Sequence, residues 1–449
     1  MTLSYSEAID LLRSQAQLHK ADRKEQIPLN LAVNRISSNT LCAAHSTPLW
    51  DTSAMDGYAV CSQVTKLASP QNPIMIPVVG LIAAGKQPIL TDPLPGPRSP
   101  FCVEIMTGAR FPDPHTTVGV ELDACVKFED VHKIQDQVTG QHWIKVTKPV
   151  VSQQNRRLAG HDFRQDQVII SAGERIRPRH VMALASVGIH QIWVQKRLQI
   201  GLYSTGSELL SRSRENDDQQ NKLQIQDVNG PYLVAALSDG IDADVRFLGI
   251  LDDHADTITD RITQDVISSS LDLVISTGAV SAGRFDLIPT ALEALHAKIL
   301  FHKLNIRPGH PALAALVPSM TGEKRSTPFF GLPGNPVASA ACLRFLVMPF
   351  IRFLGSEAVD TPLKASLTRT DKENTEQASH IVTALPIDKD VFRPGILTHD
   401  SQGRAEVTLI ADHSPGKVSP FLRGNCWIHF HTSQQEVCRG DVVDVYPGS

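Results

Sequence analysis

The sequence contains no C-x-x-C pair. Its seven cysteines (Cys42, Cys61, Cys102, Cys125, Cys342, Cys426 and Cys438) are odd in number and dispersed. That pattern excludes a disulfide framework and a thiolate zinc site and predicts reduced intracellular thiols. None of the 17 histidines falls in H-E-x-x-H, so they are expected on surfaces and loops. There is no G-x-x-x-x-G-K-[ST] and no G-x-G-x-x-G, which removes support for an ordinary P-loop or dinucleotide site. Excess positive charge is missing too: the net charge is -4, which argues against nucleic-acid and membrane-surface partners. The most apolar late stretch, Ala338 to Leu354, is interrupted by Arg344, Pro349 and Arg352 and is not expected to span a membrane. Met1-Thr-Leu-Ser-Tyr5 shows no basic region followed by an apolar core, so no signal peptide is expected. A cytoplasmic protein is the expectation.

What is present is a globular composition, 42% hydrophobic and 20% charged over 449 residues, enough chain for two to four domains. Ser4-x-x-Glu7 is a capping box, and Ala8, Ile9, Leu11, Leu12 and Ala16 follow at helical spacing, predicting a helix from about Tyr5 to Leu18. From about Pro48 to Val150 prolines, glycines and β-formers predict a small β lobe. In it Asp56-Gly57 is a turn leading into Tyr58-Ala-Val60, and Glu104-Ile-Met-Thr-Gly-Ala109 places a hydroxyl and a glycine at a strand end. Pro178 and Gly188 bracket a helix, and a strand from His190 to Val194 leads to a boundary at Lys196-Arg197. Beyond about Gly355 the pattern becomes short strands with turns at Pro394-Gly395, Gln402-Gly403, Pro415-Gly416 and Gly440-Asp441, a separate β domain.

Between these regions strands alternate with helices, the signature of a doubly wound sheet. The stretch Leu271 to Asp286 holds an apolar strand, Ser276-Thr277-Gly278, then Ser281 and Gly283, with Asp286 just beyond. A strand running into a glycine turn can present backbone N–H groups to an anion. A carboxylate beside such a turn calls for a bridging Mg²⁺. Leu198 to Thr205 also ends in Ser-Thr-Gly, with Glu208 following; Gly249 to Asp253 ends on carboxylates; Phe329 to Pro336 runs into Pro333-Gly334-Asn335-Pro336. Ser211 to Gln224 reads as a polar loop, and Asp227 as the cap of a helix through Leu237. In an open α/β sheet such strand ends share one crevice, here expected to hold Thr205, Glu208, Asp253, Gly278, Ser281, Asp286, Gly334 and Asn335. Phe301 to Arg307 alternates, so as a strand it would put Lys303, Asn305 and Arg307 on one face, where Lys303 and Arg307 could neutralise an oxyanion. The residues thus point to a Mg²⁺-dependent enzyme acting on a phosphorylated ligand. Each also has a structural reading: Asp56-Gly57 as a plain turn, Thr107 and Glu208 as strand-end caps, Lys303 and Arg307 as a solvated face, Pro333 to Pro336 as a rigid helix entry.

The ordered set Ser53-Ala-Met-Asp-Gly-Tyr-Ala-Val60, Met106-Thr-Gly-Ala109, Gly160-His-Asp162, Ser204-Thr-Gly-Ser-Glu-Leu209, Gly278 to Gly283 with Asp286, Arg307-Pro-Gly-His-Pro311 and Leu332-Pro-Gly-Asn-Pro336 resembles the molybdopterin molybdenumtransferases, the MoeA and gephyrin E-domain family. The resemblance covers nearly the whole chain. It implies an α/β multidomain homodimer: a mostly parallel sheet domain of the molybdopterin-binding fold (197–355), an inserted β-rich lobe (45–145), a discontinuous mixed N-terminal linker domain (1–44 and 146–196) and a C-terminal β domain (356–449). The implied reaction inserts molybdate into adenylylated molybdopterin on Mg²⁺ and releases AMP. Molybdopterin adenylyltransferase and molybdoenzyme apoproteins are the implied partners. By motif, Asp56 and Thr107 would come from the partner subunit's lobe. Glu208, Asp253 and Asp286 would serve the metal and adenylate, and Asp56, Thr107, Asp286 and Lys303 would be the catalytic residues. Thr205, Ser281, Gly283, Gly334, Asn335 and the Gly278 loop would bind the substrate, and Lys303 and Arg307 its anionic groups. The chain departs from the family pattern at Ala279, where a second glycine is usual, at His310, where a lysine is usual, at Ser414-Pro-Gly416, and at Arg393, one position from the family's arginine. Two alternatives stand beside this reading: a related Mg²⁺-dependent enzyme acting on another nucleotide or pterin phosphate, and a non-catalytic dimeric scaffold.

Overall fold

The structure, a computed structural model, describes residues 2–19, 23–90, 94–95, 99–117, 119–209, 225–252, 254–269, 271–280, 287–319, 326–355, 357–370, 381–412 and 414–448. The expected capping box closes the first helix, Tyr5–His19: the Ser4 N–H donates to a Glu7 carboxylate oxygen (2.8 Å) and the Glu7 N–H to the Ser4 hydroxyl (3.3 Å). The helix buries Ala8, Leu12 and Ala16 in the core of the α/β domain. The chain then alternates between parts. Lys24–Pro28 pairs with Gln191–Gln195, and Leu41–Cys42 with Val168–Ile170, so the lobe between them is an insertion in the connectivity. That lobe is a seven-stranded sheet that includes Gly57–Val60, Ile74–Ile82, Cys102–Ile105 and His142–Val146.

The α/β domain carries six strands in the order Ala243–Leu251, Leu198–Thr205, Leu273–Thr277, Thr327–Leu332, Leu313–Val317, Lys298–His302. The first four are mutually parallel; Leu313–Val317 runs antiparallel to both of its neighbours, Thr327–Leu332 and Lys298–His302. Leu273–Thr277 is buried along its whole length, as a central strand covered on both faces must be. Register aligns the carboxyl ends: Thr205 lies opposite Leu251, Ser204 opposite Thr277, and Thr277 opposite Leu332. Four strand ends therefore stop at one level and open a single crevice.

The apolar stretch after Asn335 is one long helical run, Pro336–Gly355. It is apolar enough to cross a membrane by length and composition, yet 83% of its most apolar window is buried inside the protein. It runs from Pro336–Cys342 through a π-turn, Leu343–Val347, into Met348–Gly355. Pro349 explains the turn: proline offers no N–H and crowds the carbonyl four residues back, and the wider π geometry makes room.

The C-terminal domain is a closed β-barrel of Asp390–His399, Ala405–Leu409, Leu363–Thr370, Val442–Pro447 and Cys426–Phe430, with the last strand pairing back to the first. Two expectations fail here. Pro394-Gly395 is not a turn but lies inside Asp390–His399, paired with Trp427 and Cys426. The glycine is needed because a Cβ at 395 would sit 2.7 Å from the Ile428 Cδ1. Phe301 to Arg307 is not one strand either. The sheet strand ends at His302, Lys303 takes a left-handed backbone (φ 74°), and Ile306–Arg307 pairs instead with Asp390–Val391 of the barrel. Lys303, Asn305 and Arg307 therefore share no strand face, because the chain is crossing between domains there.

Candidate active site

The aligned strand ends and the edge of the C-terminal barrel enclose a cleft of about 1350 Å³. Six of the residues singled out in the sequence line it: Thr205, Glu208, Gly278, Arg307, Gly334 and Asn335. Lys303, Asp56 and Thr107 do not. Asp253, Ser281, Gly283, Asp286 and the loop Ser211 to Gln224 lie outside the described residues.

The turn at Gly278 is built by close approach. A Cβ there would meet the Thr205 Oγ1 at 2.4 Å, and φ is +95°, a backbone that suits glycine. The Gly278 N–H donates to the Leu332 carbonyl (2.9 Å), so it is spent on holding two strand ends together. The Thr205 hydroxyl donates to the Thr277 carbonyl (3.0 Å). Ala279, where the resemblance implies a glycine, is held at φ +52°. Glu208, exposed, sits over Gly206, where a Cβ would fall 2.5 Å from both carboxylate oxygens.

Sequence reading missed the residue that clamps this floor. Asn229 Nδ2 donates to the Thr277 hydroxyl (2.9 Å) and the Gly334 carbonyl (2.8 Å), and its buried Oδ1 has no partner among the described residues. Asp227 positions it: one carboxylate oxygen accepts from the Asn229 and Gly230 N–H groups (3.1 and 3.0 Å), the other from the Ser204 hydroxyl (2.6 Å). The helix cap at Asp227 was legible; that the next polar side chain reaches back to two other turns was not.

The far wall is basic. Arg307, His310, Lys389 and Arg393 line it, from the domain crossing and the barrel. Arg393 is 5% exposed and its Nη2 donates to the Ile410 carbonyl (3.2 Å). Burial, and then the charge of Arg307, push its guanidinium down to about 10, still protonated at neutral pH. His310 donates Nδ1–H to the Leu304 carbonyl (2.6 Å), which leaves Nε2 as the other polar atom of the ring.

In the β lobe, Asp56 and Thr107 meet each other. One Asp56 oxygen accepts from the Thr107 N–H (2.6 Å) and hydroxyl (2.8 Å). These two bonds hold the carboxyl below its ordinary range, the N–H contributing most. Leu49, Trp50 and Met55, large apolar side chains on the same loop, are exposed.

The chain matches two family models: "MoeA N-terminal region (domain I and II)" over residues 3–188 and "Probable molybdopterin binding domain" over 201–352. A molybdopterin molybdenumtransferase of Synechococcus elongatus is 35% identical over 364 residues, 81% of this chain and 83% of that protein. The chain belongs to the molybdopterin molybdenumtransferases. A Haemophilus influenzae molybdenumtransferase is 29% identical over 432 residues, 96% of this chain and 95% of its own length. A crystal structure of a molybdopterin biosynthesis MoeA protein from a Pyrococcus species shares the fold, with TM-score 0.74 and 24% identity over 100% of this chain and 99% of that one. The molybdenumtransferase assignment makes this chain a transferase.

Proposed function

We propose that the chain inserts molybdate into adenylylated molybdopterin and releases AMP, working as a homodimer. The observation that carries this reading is the convergence of Thr205, Glu208, Gly278, Gly334 and Asn335 with the basic wall in one cleft of a molybdenumtransferase. A substrate with phosphates, an adenylate and a pterin is long and anionic. The charge of Arg307 disfavours that of the buried Arg393, and an anion between them would relieve it, so Arg307 and Arg393 are assigned to the molybdate or the pterin phosphate. Asn229 and the Thr205–Gly278 contact keep the adenylate end rigid, since each turn is tied to its neighbour.

Mg²⁺ fits the donor chemistry, because Glu208, an exposed carboxylate of the cleft, is a hard oxygen ligand. Glu208 would hold it together with Asp253 and Asp286. When bound, the ion would offset phosphoryl charge as the AMP leaves. Asp56 and Thr107 are too removed to line the cleft of their own chain, and the exposed Leu49, Trp50 and Met55 beside them form an apolar patch suited to a subunit interface. In the dimer, Asp56 of the partner subunit would enter the cleft. An adenylyltransferase must supply this substrate and apoenzymes must accept the product, and both are partners on this reading.

AMP release from adenylylated molybdopterin, measured with and without molybdate and Mg²⁺, tests the reading. Release stimulated by both is expected, with Glu208→Gln lowering it roughly 10²-fold. A folded protein that binds the adenylylated pterin and releases no AMP would overturn it.

A further inference from the structure

A second cluster of ligand-type side chains lies on the C-terminal barrel. His429 and His431 are two apart, so on the strand Cys426–Phe430 and its continuation they point to one side. Two neighbouring strands add carboxylates on that side. Asp444 is the register partner of His429, and Asp390 begins the strand whose next residue, Val391, pairs with Phe430. One nitrogen of each imidazole and one oxygen of Asp390 lie within 4.8 Å of one another. His429 Nε2 is 2.7 Å from the Asp390 Oδ1, and His431 Nδ1 is 3.9 Å from the same oxygen.

We propose that Asp390, His429 and His431 form a binding site for a divalent ion of the zinc class, with Asp444 orienting His431. Two imidazoles and one carboxylate are the donor set that zinc takes when it keeps a further position for water, and they are too nitrogen-rich for Mg²⁺. This chemistry separates the cluster from the all-oxygen carboxylates assigned to the cleft. The other nitrogen of His431, Nε2, meets the Asp444 Oδ2 at 2.8 Å, and Lys364 Nζ holds the second Asp444 oxygen at 2.5 Å. That is the arrangement of a carboxylate outside a ligating histidine. His429 is 3% exposed, its ring against Tyr5 (centroids 5.4 Å apart) and Phe392 (4.6 Å), and its buried Nδ1 has no hydrogen-bond partner among the described residues. His431 is half exposed and provides the way in. For zinc–ligand bonds of about 2.0–2.1 Å the Asp390–His429 contact must open by some tenths of an ångström, a shift within reach of a carboxylate rotation. The site borders the cleft: Lys389 and Val391, on either side of Asp390, line its basic wall, so an ion there would brace that wall.

Calorimetric titration of the full chain with Zn²⁺, in excess Mg²⁺ to occupy oxygen-ligand sites, tests the proposal. One tight equivalent is expected. His431→Ala, a change at a half-exposed side chain, should abolish it, and Asp444→Asn should weaken it roughly 10–100-fold. In Co²⁺-loaded protein, visible bands of an imidazole-ligated, low-coordinate ion should appear and be absent from the His431→Ala variant. A heat-denaturation curve of each apo variant that matches wild type shows that the fold is intact. No tight equivalent in wild type, or one that survives in folded His431→Ala, would mean that the four side chains form a hydrogen-bonded network only.

Discussion

Thr107 spends both its donors on a single oxygen of Asp56, which fixes where that carboxylate points and how it titrates. Thr107→Val removes the hydroxyl donor and keeps the N–H. The Asp56 carboxyl should then titrate closer to the ordinary range, though still below it, as carboxyl ¹³C shifts would show. The sign follows from its depressed folded pKa: this pair stabilises above the ordinary carboxylate value, and the contribution is lost as pH falls through the folded pKa. Asp56→Asn should lower molybdate-dependent turnover roughly 10²-fold or more with the fold intact, because a positioned carboxylate is replaced by a neutral amide. The turn at 278–279 tests backbone strain in both directions. Gly278→Ala combines a 2.4 Å approach to Thr205 with φ +95° and should cost about 1–3 kcal/mol. Ala279→Gly releases a left-handed alanine (φ +52°), and chemical denaturation should show a gain of about 1 kcal/mol.

Among elements, the run Pro336–Gly355 shows how far local pattern reaches. Its apolarity and its proline were readable, and so was its unsuitability as a membrane span. The partners of its two arginines were not. Arg344 and Arg352 both pair with Asp360, which lies beyond the helix. Burial pushes the Asp360 carboxyl up, but the bonds to Arg352 and Arg344 outweigh it and hold the group below its ordinary range. Its stabilisation is therefore complete above the ordinary carboxylate value and lost as pH falls through the depressed folded value. Asp360→Asn should cost about 1–2 kcal/mol at pH 7, discounted because the side chain is 37% exposed. Urea midpoints of wild type and variant should converge in acid. The segment Phe301 to Arg307 shows the converse limit. Its alternation was real, but alternation cannot say that the backbone turns left-handed at Lys303 to reach another domain's strand. Lys303 consequently leaves the cleft while Arg307 stays in it.

At the scale of the whole molecule, the proposed site belongs to two subunits, and that has a quantitative consequence. Asp56→Asn and Glu208→Gln place their defects on opposite sides of the interface. Mixing the two inactive proteins under conditions of subunit exchange should restore about a quarter of wild-type turnover, since half the dimers are mixed and each has one intact site. Sedimentation would confirm exchange in the same samples. Persistent inactivity with demonstrated exchange would place Asp56 and Glu208 in the same site of one chain.

Much of the site was written locally. Strand-then-glycine turns, the Ser4–Glu7 cap and the helix cap at Asp227 are short-range patterns, because backbone sterics and hydrogen bonding act over a few residues. They mark Thr205, Gly278, Gly334 and Asn335, all of which line the cleft. The tertiary structure alone decided which side chains from distant segments meet. Asn229 reaches turns 48 and 105 residues away, Arg393 is buried beside Arg307, and two histidines that looked like ordinary surface residues converge with Asp390 and Asp444. No spacing rule connects such groups, because strand order and register, set by burial of apolar faces across the whole fold, determine which strand ends become neighbours.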